Sequence, residues 1–247
     1  MSYHLYINIM IRKIFFLETW TIAITQDYKD IKSLNSCNWE IVKPNYFEFF
    51  ADPSILKLNK NSKSIDLLYE SINFISGKGF IKKLNFSYLN NKIANLTTLL
   101  KNDFHISFPN IFDLYGKEVL LYENEENDHL GMVEFNLEKN NKMVELPGKY
   151  LDPIILKINN DYLLIYSYRS NKNLQFGYKL ISKDFTLKDS ELSYSHNFNS
   201  IRNAGKIIYE NGNLYRPGQK ISGRYGEGIV FNELSSVSYT HLTLPTT

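Results

Sequence analysis

"FADPSIL" at 50–56 and "YLDPIIL" at 150–156 open two apolar runs with the same Asp-Pro step. Around them the chain repeats itself. "DPSILKLNKNSKSIDLLYE" (52–70), "FPNIFDLYGKEVLLYE" (108–123), "DPIILKINNDYLLIYSY" (152–168) and "NAGKIIYENGNLYRPGQ" (203–219) share one plan. Each has a short opening step, an apolar strand, a polar turn, and a second apolar strand that closes near a polar residue. Pro53, Pro109 and Pro153 stand 56 and 44 residues apart, and Ala204 follows 51 residues after Pro153. A period of about 50 residues built from paired strands is the pattern of a β-propeller. Proline has no N–H for a ladder, so it belongs at the first position of a strand or on an edge. It also pushes the preceding residue toward extended geometry. In a propeller the first strand of each blade lines the axis. Asp52 and Asp152 are therefore expected to face one central pocket.

The turns agree with this plan. "NKNSKS" (59–64), "LYGK" (114–117), "INND" (158–161) and "ENGN" (210–213) are polar hairpin loops. "GFIKKLNFSYL" (79–89) and "LQFGYKLISKDF" (174–185) supply outer strands. The best helical candidate, "NKIANLTTLLKND" (91–103), is weakened by its two threonines. The expected fold is all-β: a single five-bladed β-propeller over 1–235 whose fifth blade is truncated. "GIVFNEL" (228–234) would begin that blade, and "WTIAI" (20–24) would pair with it to close the ring. Tyr69, Tyr122 and Tyr150 are expected beside the pocket, where aromatic faces suit sugar rings.

Bulk properties narrow the function. The chain is 43% hydrophobic and 22% charged, with a net charge of +2. No basic cluster stands out, so a nucleic-acid partner is not expected. No apolar run reaches the length of a membrane span. One cysteine, Cys37, allows no internal disulfide and fits a reducing, cytoplasmic location. The histidines have no metal-ligand spacing to one another or to Cys37, and neither a metal nor a cofactor is expected. The Gly-rich "GRYGEG" (223–228) lacks the Gly-Lys-Ser/Thr end of a phosphate loop. The last stretch, "VSYTHLTLPTT" (237–247), matches one reading frame of a transposase-based sequencing adapter through Thr246. Residues 236–247 are accordingly expected to be read-through, not native sequence.

Several stretches together carry a family resemblance: "FFADPSIL", the two "LLYE" strand ends, "HISFPNIF", "YLDPIIL" and above all "RNAGKIIYENGNLYRPGQKISGRYGEGI" (202–229). In these the chain resembles the five-bladed propellers of family 43 glycoside hydrolases. More specifically, it is similar to the N-terminal domain of plant glucosamine inositolphosphorylceramide transferase and its bacterial counterparts. The hydrolase resemblance implies an aspartate base in blade one, matched by Asp52, and an aspartate that tunes pKa in blade three, matched by Asp152. It also implies a glutamate acid in blade four. That position does not match: the chain has "RNAG" there, with Arg202. Hydrolysis needs a group that protonates the leaving oxygen, and arginine does not give up a proton at neutral pH. The second resemblance implies a part in building surface polysaccharide or glycoconjugate, with a glycosyltransferase domain or partner.

Asp52 and Asp152 read either as turn residues accepting backbone N–H bonds or as catalytic groups. Glu70 and Glu123, ending the second strands, read as solvated strand ends or as ligands for sugar hydroxyls. They are expected farther from the axis than the aspartates. His105 is either structural or a hydroxyl partner. Arg202, Arg216, Gln219, Arg224 and Tyr225 form the most specific stretch. Its arginines would either clamp a phosphate or carboxylate bidentately or pair with carboxylates between blades. The expected partner is a sugar or glycan. The alternatives are family 43-type hydrolysis with Asp52 as base and a propeller that only scaffolds proteins.

Overall fold

The first strands along the chain stand outside the four repeats. β1 (Ile22–Ile24) and β2 (Glu40–Val42) pair antiparallel across a short 3-10 helix at Ile31–Ser36. Four antiparallel meanders follow, each of four strands. The first is β3 (Glu48–Asn59), β4 (Ser64–Asn73), β5 (Gly79–Ser87) and β6 (Lys92–Leu100). The second is β7 (Ser107–Leu114), β8 (Lys117–Asn124), β9 (His129–Glu134) and β10 (Met143–Pro147). The third is β11 (Leu151–Ile158), β12 (Asp161–Ser170), β13 (Asn173–Ile181) and β14 (Leu187–Asp189). The fourth is β15 (Ile208–Glu210), β16 (Asn213–Gln219), β17 (Ile229–Val237) and β18 (His241–Thr243). This computed structural model describes residues 20–44, 47–135, 143–171, 173–189, 200–220, 226–237 and 241–243. Among them no helix is long and apolar enough to cross a membrane.

Sequence chemistry sets the local structure. Tyr115-Gly116 and Asn211-Gly212 turn two hairpins with positive φ at both residues (54° and 81°, 51° and 86°). That is the twist a two-residue hairpin needs, and glycine takes it without strain. β5 alternates buried and partly exposed residues along most of its length, as a strand with two different faces should. The second strand of each of the first three sheets is apolar on both faces because it is covered on both sides. The stretch 91–103 is not helical: Lys92–Leu100 is the outer strand of the first sheet, and its threonines suit that state.

The sheets pack in sequence order around an axis, which makes the fold a propeller. Leu68, Ile81, Ile106 and Tyr122 fill the seam between the first and second sheets. Leu121, Leu130, Ile155 and Leu164 fill the next seam, and Ile154, Leu163, Phe176 and Leu234 the third. The β1–β2 unit occupies the sector between the fourth sheet and the first. Ile22, Ile24 and Val42 pack on Phe50, Leu67 and Tyr69 of the first sheet, and Phe50 N–H donates to the Trp20 carbonyl at 3.1 Å. On the other flank Tyr28 Oη donates to Glu210 at 2.6 Å, and the Trp20 indole lies across Gly226.

Four expectations about this architecture change. Four sheets have four strands and the remaining sector holds two. "GIVFNEL" does not begin a fifth blade, because Ile229–Leu234 pairs with Leu214–Gln219 inside the fourth. Nor does 20–24 pair with that strand: β1 pairs with β2 and closes the ring by side-chain packing. Tyr69, Tyr122 and Tyr150 are core residues wedged between sheets, not pocket walls.

Candidate functional site

The Asp-Pro steps do something specific to the backbone. In the first three sheets the ladder slips at the X-Pro dipeptide: between Ala51 and Ser54, Ser107 and Asn110, and Leu151 and Ile154. The residue before each proline is left-handed, with φ of 47° at Asp52, 51° at Phe108 and 47° at Asp152. The extended geometry expected there gives way because proline offers no N–H to carry the ladder on. The bulge that results re-aims the preceding side chain. Holding a non-glycine residue there costs on the order of 1–3 kcal/mol, and such strain gathers at functional sites. The fourth sheet has Ala204 where the other three have proline. Ala204 N–H donates to the Pro217 carbonyl at 2.9 Å, a bond that proline could not make.

At this end of the axis lies a cavity of about 320 Å³, within the range of small-ligand sites. Asp52, Glu70, His105, Glu123, Glu126 and Arg202 line it. Glu70 and Glu123 hold the same register in neighbouring sheets, opposite Ala51 and Ser107. Contrary to expectation they are not set back from the axis. Both are buried and both reach the cavity.

Asp152 stands just behind, only 1% exposed. Arg202 grips it with two bonds, Nε to Oδ2 at 2.5 Å and Nη2 to Oδ1 at 2.7 Å. Its own N–H donates to Glu123 Oε2 at 2.8 Å, and its carbonyl accepts from Asn203 Nδ2 at 2.7 Å. Asn203 is the hub of this corner. Its side-chain oxygen takes Arg216 Nη1 at 3.0 Å, and its carbonyl takes Gln219 Nε2 at 3.0 Å. Arg216 is fully buried, donates also to the Ser200 carbonyl at 2.7 Å, and lies over the Phe176 ring. Burial lowers its pKa to about 10, so it remains a cation at neutral pH.

His105 is set from three sides. Gly79 N–H points to its Nδ1 at 3.1 Å, and the Gly77 carbonyl lies 3.4 Å from the same nitrogen. Nε2 lies 2.9 Å from Glu70 Oε1, and the His105 backbone N–H donates to Glu126 at 3.0 Å. The contact with Glu70 raises the imidazole above its ordinary range, against the opposing effect of burial. Gly79 makes this approach possible, since a Cβ there would stand 2.5 Å from Glu70 Oε1 and 2.7 Å from the Ile106 carbonyl. The Asp52 carboxyl is pushed well above the usual aspartate range. Burial is the main cause, followed by the charges of Glu70 and Asp152, its hydrogen bond to Glu70, and the charge of Glu123.

The structure thus brings Asp52, Glu70, His105, Glu123 and Arg202 together at one cavity, with Asp152 against it. It does not bring Arg216 there: that side chain braces Asn203 from below, and Gln219 does the same from the strand end. Arg224 and Tyr225 lie outside the described residues. Of the arginines expected to clamp an anion or to pair between blades, Arg202 pairs with Asp152 and Arg216 is buried in the fold. Sequence reasoning missed Glu126, Ser107 and Ile72 of the cavity wall, and it missed Asn203. The signal for Asn203 was present, because in "RNAG" it takes the place that Asp52 and Asp152 take in their repeats.

The family model described as glucosamine inositolphosphorylceramide transferase 1, N-terminal, matches residues 33–244. No curated protein matches the chain. Solved structures with a similar fold include the Phanerochaete chrysosporium exo-β-1,3-galactanase bound to β-1,3-galactotriose, at 15% identity and a TM-score of 0.61, covering 85% of this chain and 54% of that one. A putative exo-β-1,3-galactanase from Bifidobacterium bifidum is 13% identical with a TM-score of 0.62, covering 85% and 78%. An α-L-arabinofuranosidase from Lactobacillus brevis is 10% identical with a TM-score of 0.63, covering 87% and 83%. The chain spans about half the length of the first of these.

Proposed function

Since the chain belongs to the family of glucosamine inositolphosphorylceramide transferase N-terminal domains, we propose that its propeller binds a saccharide in the axial cavity and serves glycoconjugate synthesis beside a glycosyltransferase. In this reading the β1–β2 unit is the described part of a fifth blade. The observation that carries the proposal is the Arg202–Asp152 pair. The cavity keeps the hydroxyl-binding carboxylates of a sugar site, and solved propellers of this fold hold galactotriose and xylotriose. Yet the position where the hydrolase resemblance calls for an acid holds an arginine, locked to the one aspartate that would tune it. Such a site favours recognition over cleavage.

One observation favours the second reading, a glycoside hydrolase. Four carboxyl groups line the same cavity, and glycosidic hydrolysis runs on a pair. Calorimetric titration with neutral oligosaccharides, amino sugars and nucleotide sugars, alongside aryl-glycoside turnover, separates the two. The binding reading predicts saturable uptake of a saccharide without turnover, weakened at least tenfold in Glu70→Ala. Turnover that disappears in Asp52→Asn establishes the hydrolase instead. No binding and no turnover leaves the propeller as a scaffold for proteins.

A further inference from the structure

The blade-one aspartate sits among its own kind. Asp52 projects from the Pro53 bulge at φ 47°. Across the ladder Glu70 rises from β4, one register step away and only 3% exposed. From β8 comes Glu123, from the segment after it Glu126, and from β11 Asp152. The positive groups facing them are Arg202 and His105. Arg202 spends two donors on Asp152, and His105 Nε2 lies 2.9 Å from Glu70 Oε1. So among the described residues five carboxyl groups gather here with one guanidinium and one imidazole, and that guanidinium and imidazole are bonded to Asp152 and Glu70.

Asp52 and Glu70 stand side by side on the wall of one cavity, Glu70 lying opposite the residue before Asp52 across the ladder, and a hydrogen bond between the two carboxyls is one cause of the raised Asp52 pKa. Two carboxylate ions have no donor between them, so this bond needs a proton. Like charges at such range cannot both ionise without large cost, and a carboxyl pair with one shared proton is the usual resolution. In the equivalent register of the next sheet, beside Glu123, Phe108 stands where Asp52 would be. Glu123 takes the Asp152 N–H.

We propose that Asp52 and Glu70 hold a single proton between them, and that Asp52 meets a bound saccharide as a hydrogen-bond donor and not as a base. The ligand part rests on the saccharide-binding reading above; the shared proton does not. The consequence is a selection rule for the cavity. It favours a sugar that presents an acceptor oxygen to Asp52, and it loses that ligand once the pair gives up its proton.

The test is a pH titration of the full chain carrying ¹³C-carboxyl aspartate and glutamate, followed by NMR, with Asp52→Asn used to assign the Asp52 signal and Glu70→Gln to perturb it. The proposal predicts that Asp52 stays protonated at pH values where exposed aspartates have ionised. It also predicts that Glu70→Gln moves the Asp52 midpoint down by at least one pH unit. An Asp52 signal that titrates with the exposed aspartates, unmoved by Glu70→Gln, overturns it. The ligand role has its own readout once the titrations above have found a saccharide. Asp52→Asn, which donates but cannot ionise, should bind more tightly than Asp52→Ala and lose the wild-type fall in affinity at high pH. Equal weakening in both variants overturns the donor role. If no saccharide binds at all, the functional reading fails while the NMR result still judges the shared proton.

Discussion

At the residue scale, the best-defined object is the Arg202–Asp152 pair with Asn203 beside it. Both partners are largely buried, and the aspartate is bonded through its side chain, its N–H and its carbonyl. Removing one partner of such a pair leaves an uncompensated charge and costs about 3–5 kcal/mol. Arg202→Ala and Asp152→Ala should each lower unfolding free energy by an amount in that range, and the double variant by much less than their sum. Denaturant titration of the four proteins measures the coupling, and additive losses would deny that the pair acts as a unit. The raised carboxyl of Asp52 has a signed consequence for stability. A group whose folded pKa is raised contributes its stability below its unfolded value, about 3.9 for aspartate. That contribution disappears as pH climbs through the folded value. The same sign holds for His105, in a window that begins near its unfolded value of about 6.5. The stability difference between Asp52→Asn and wild type should therefore grow in favour of the variant as pH rises from 4 to 7, read from thermal melts across that interval. A difference independent of pH would mean that Asp52 is not perturbed.

At the element scale, the repeat unit is a strand whose start is broken by proline and whose partner strand ends in a cavity-facing glutamate. Gly79 is where this unit tolerates no side chain, because the Glu70 carboxyl, the Ile106 carbonyl and His105 crowd the place of a Cβ. Gly79→Ala should displace Glu70 and His105 together. It should destabilise by roughly 1–3 kcal/mol, as overpacking does, and it should change the His105 titration in NMR. A variant with the wild-type His105 titration would contradict the placement. Much of this element was legible in the sequence. Four repeats and their hairpin turns follow from Asp-Pro spacing and strand pattern alone, and the same spacing points to Asp52 as a cavity residue, while Asp152 is buried behind and held by Arg202. What was not legible has physical causes. The left-handed pre-proline residues arise from a ladder slip that only strand pairing reveals. The inward turn of Glu70 and Glu123 depends on that slip too. Arg216 carries the same "LYRPGQ" signal whether it faces a ligand or a buried asparagine, and only the neighbouring sheet decides between them. The tyrosines of "LLYE" alternate with the glutamates, so putting the glutamates in the cavity puts Tyr69 and Tyr122 into the core.

At the scale of the whole molecule, the ring closes through packing and not through a shared strand. Ile22, Ile24 and Val42 have their main partners in the first sheet, while Tyr28 and Trp20 lean on the fourth. Closure of this kind makes the small β1–β2 unit part of the same cooperative core. Ile22→Ala should then lower unfolding free energy by about 2–5 kcal/mol, as a core truncation does, and unfolding should remain a single transition by fluorescence and circular dichroism. A separate early transition would mean that β1–β2 folds apart from the ring. The cavity is lined by the first sheet, the second with its flanking segments, and Arg202 ahead of the fourth, so its geometry depends on that closure.

The account turns on whether a saccharide enters this cavity and leaves intact. The most direct measurement is NMR of the His105 ring during titration with β-1,3-galactotriose, xylotriose and an amino-sugar series, with sugar signals followed in the same spectra. The account predicts a saturable shift of the His105 resonances by at least one of these ligands and an oligosaccharide that stays uncleaved. Release of free monosaccharide, or binding that leaves His105 unmoved, would contradict it.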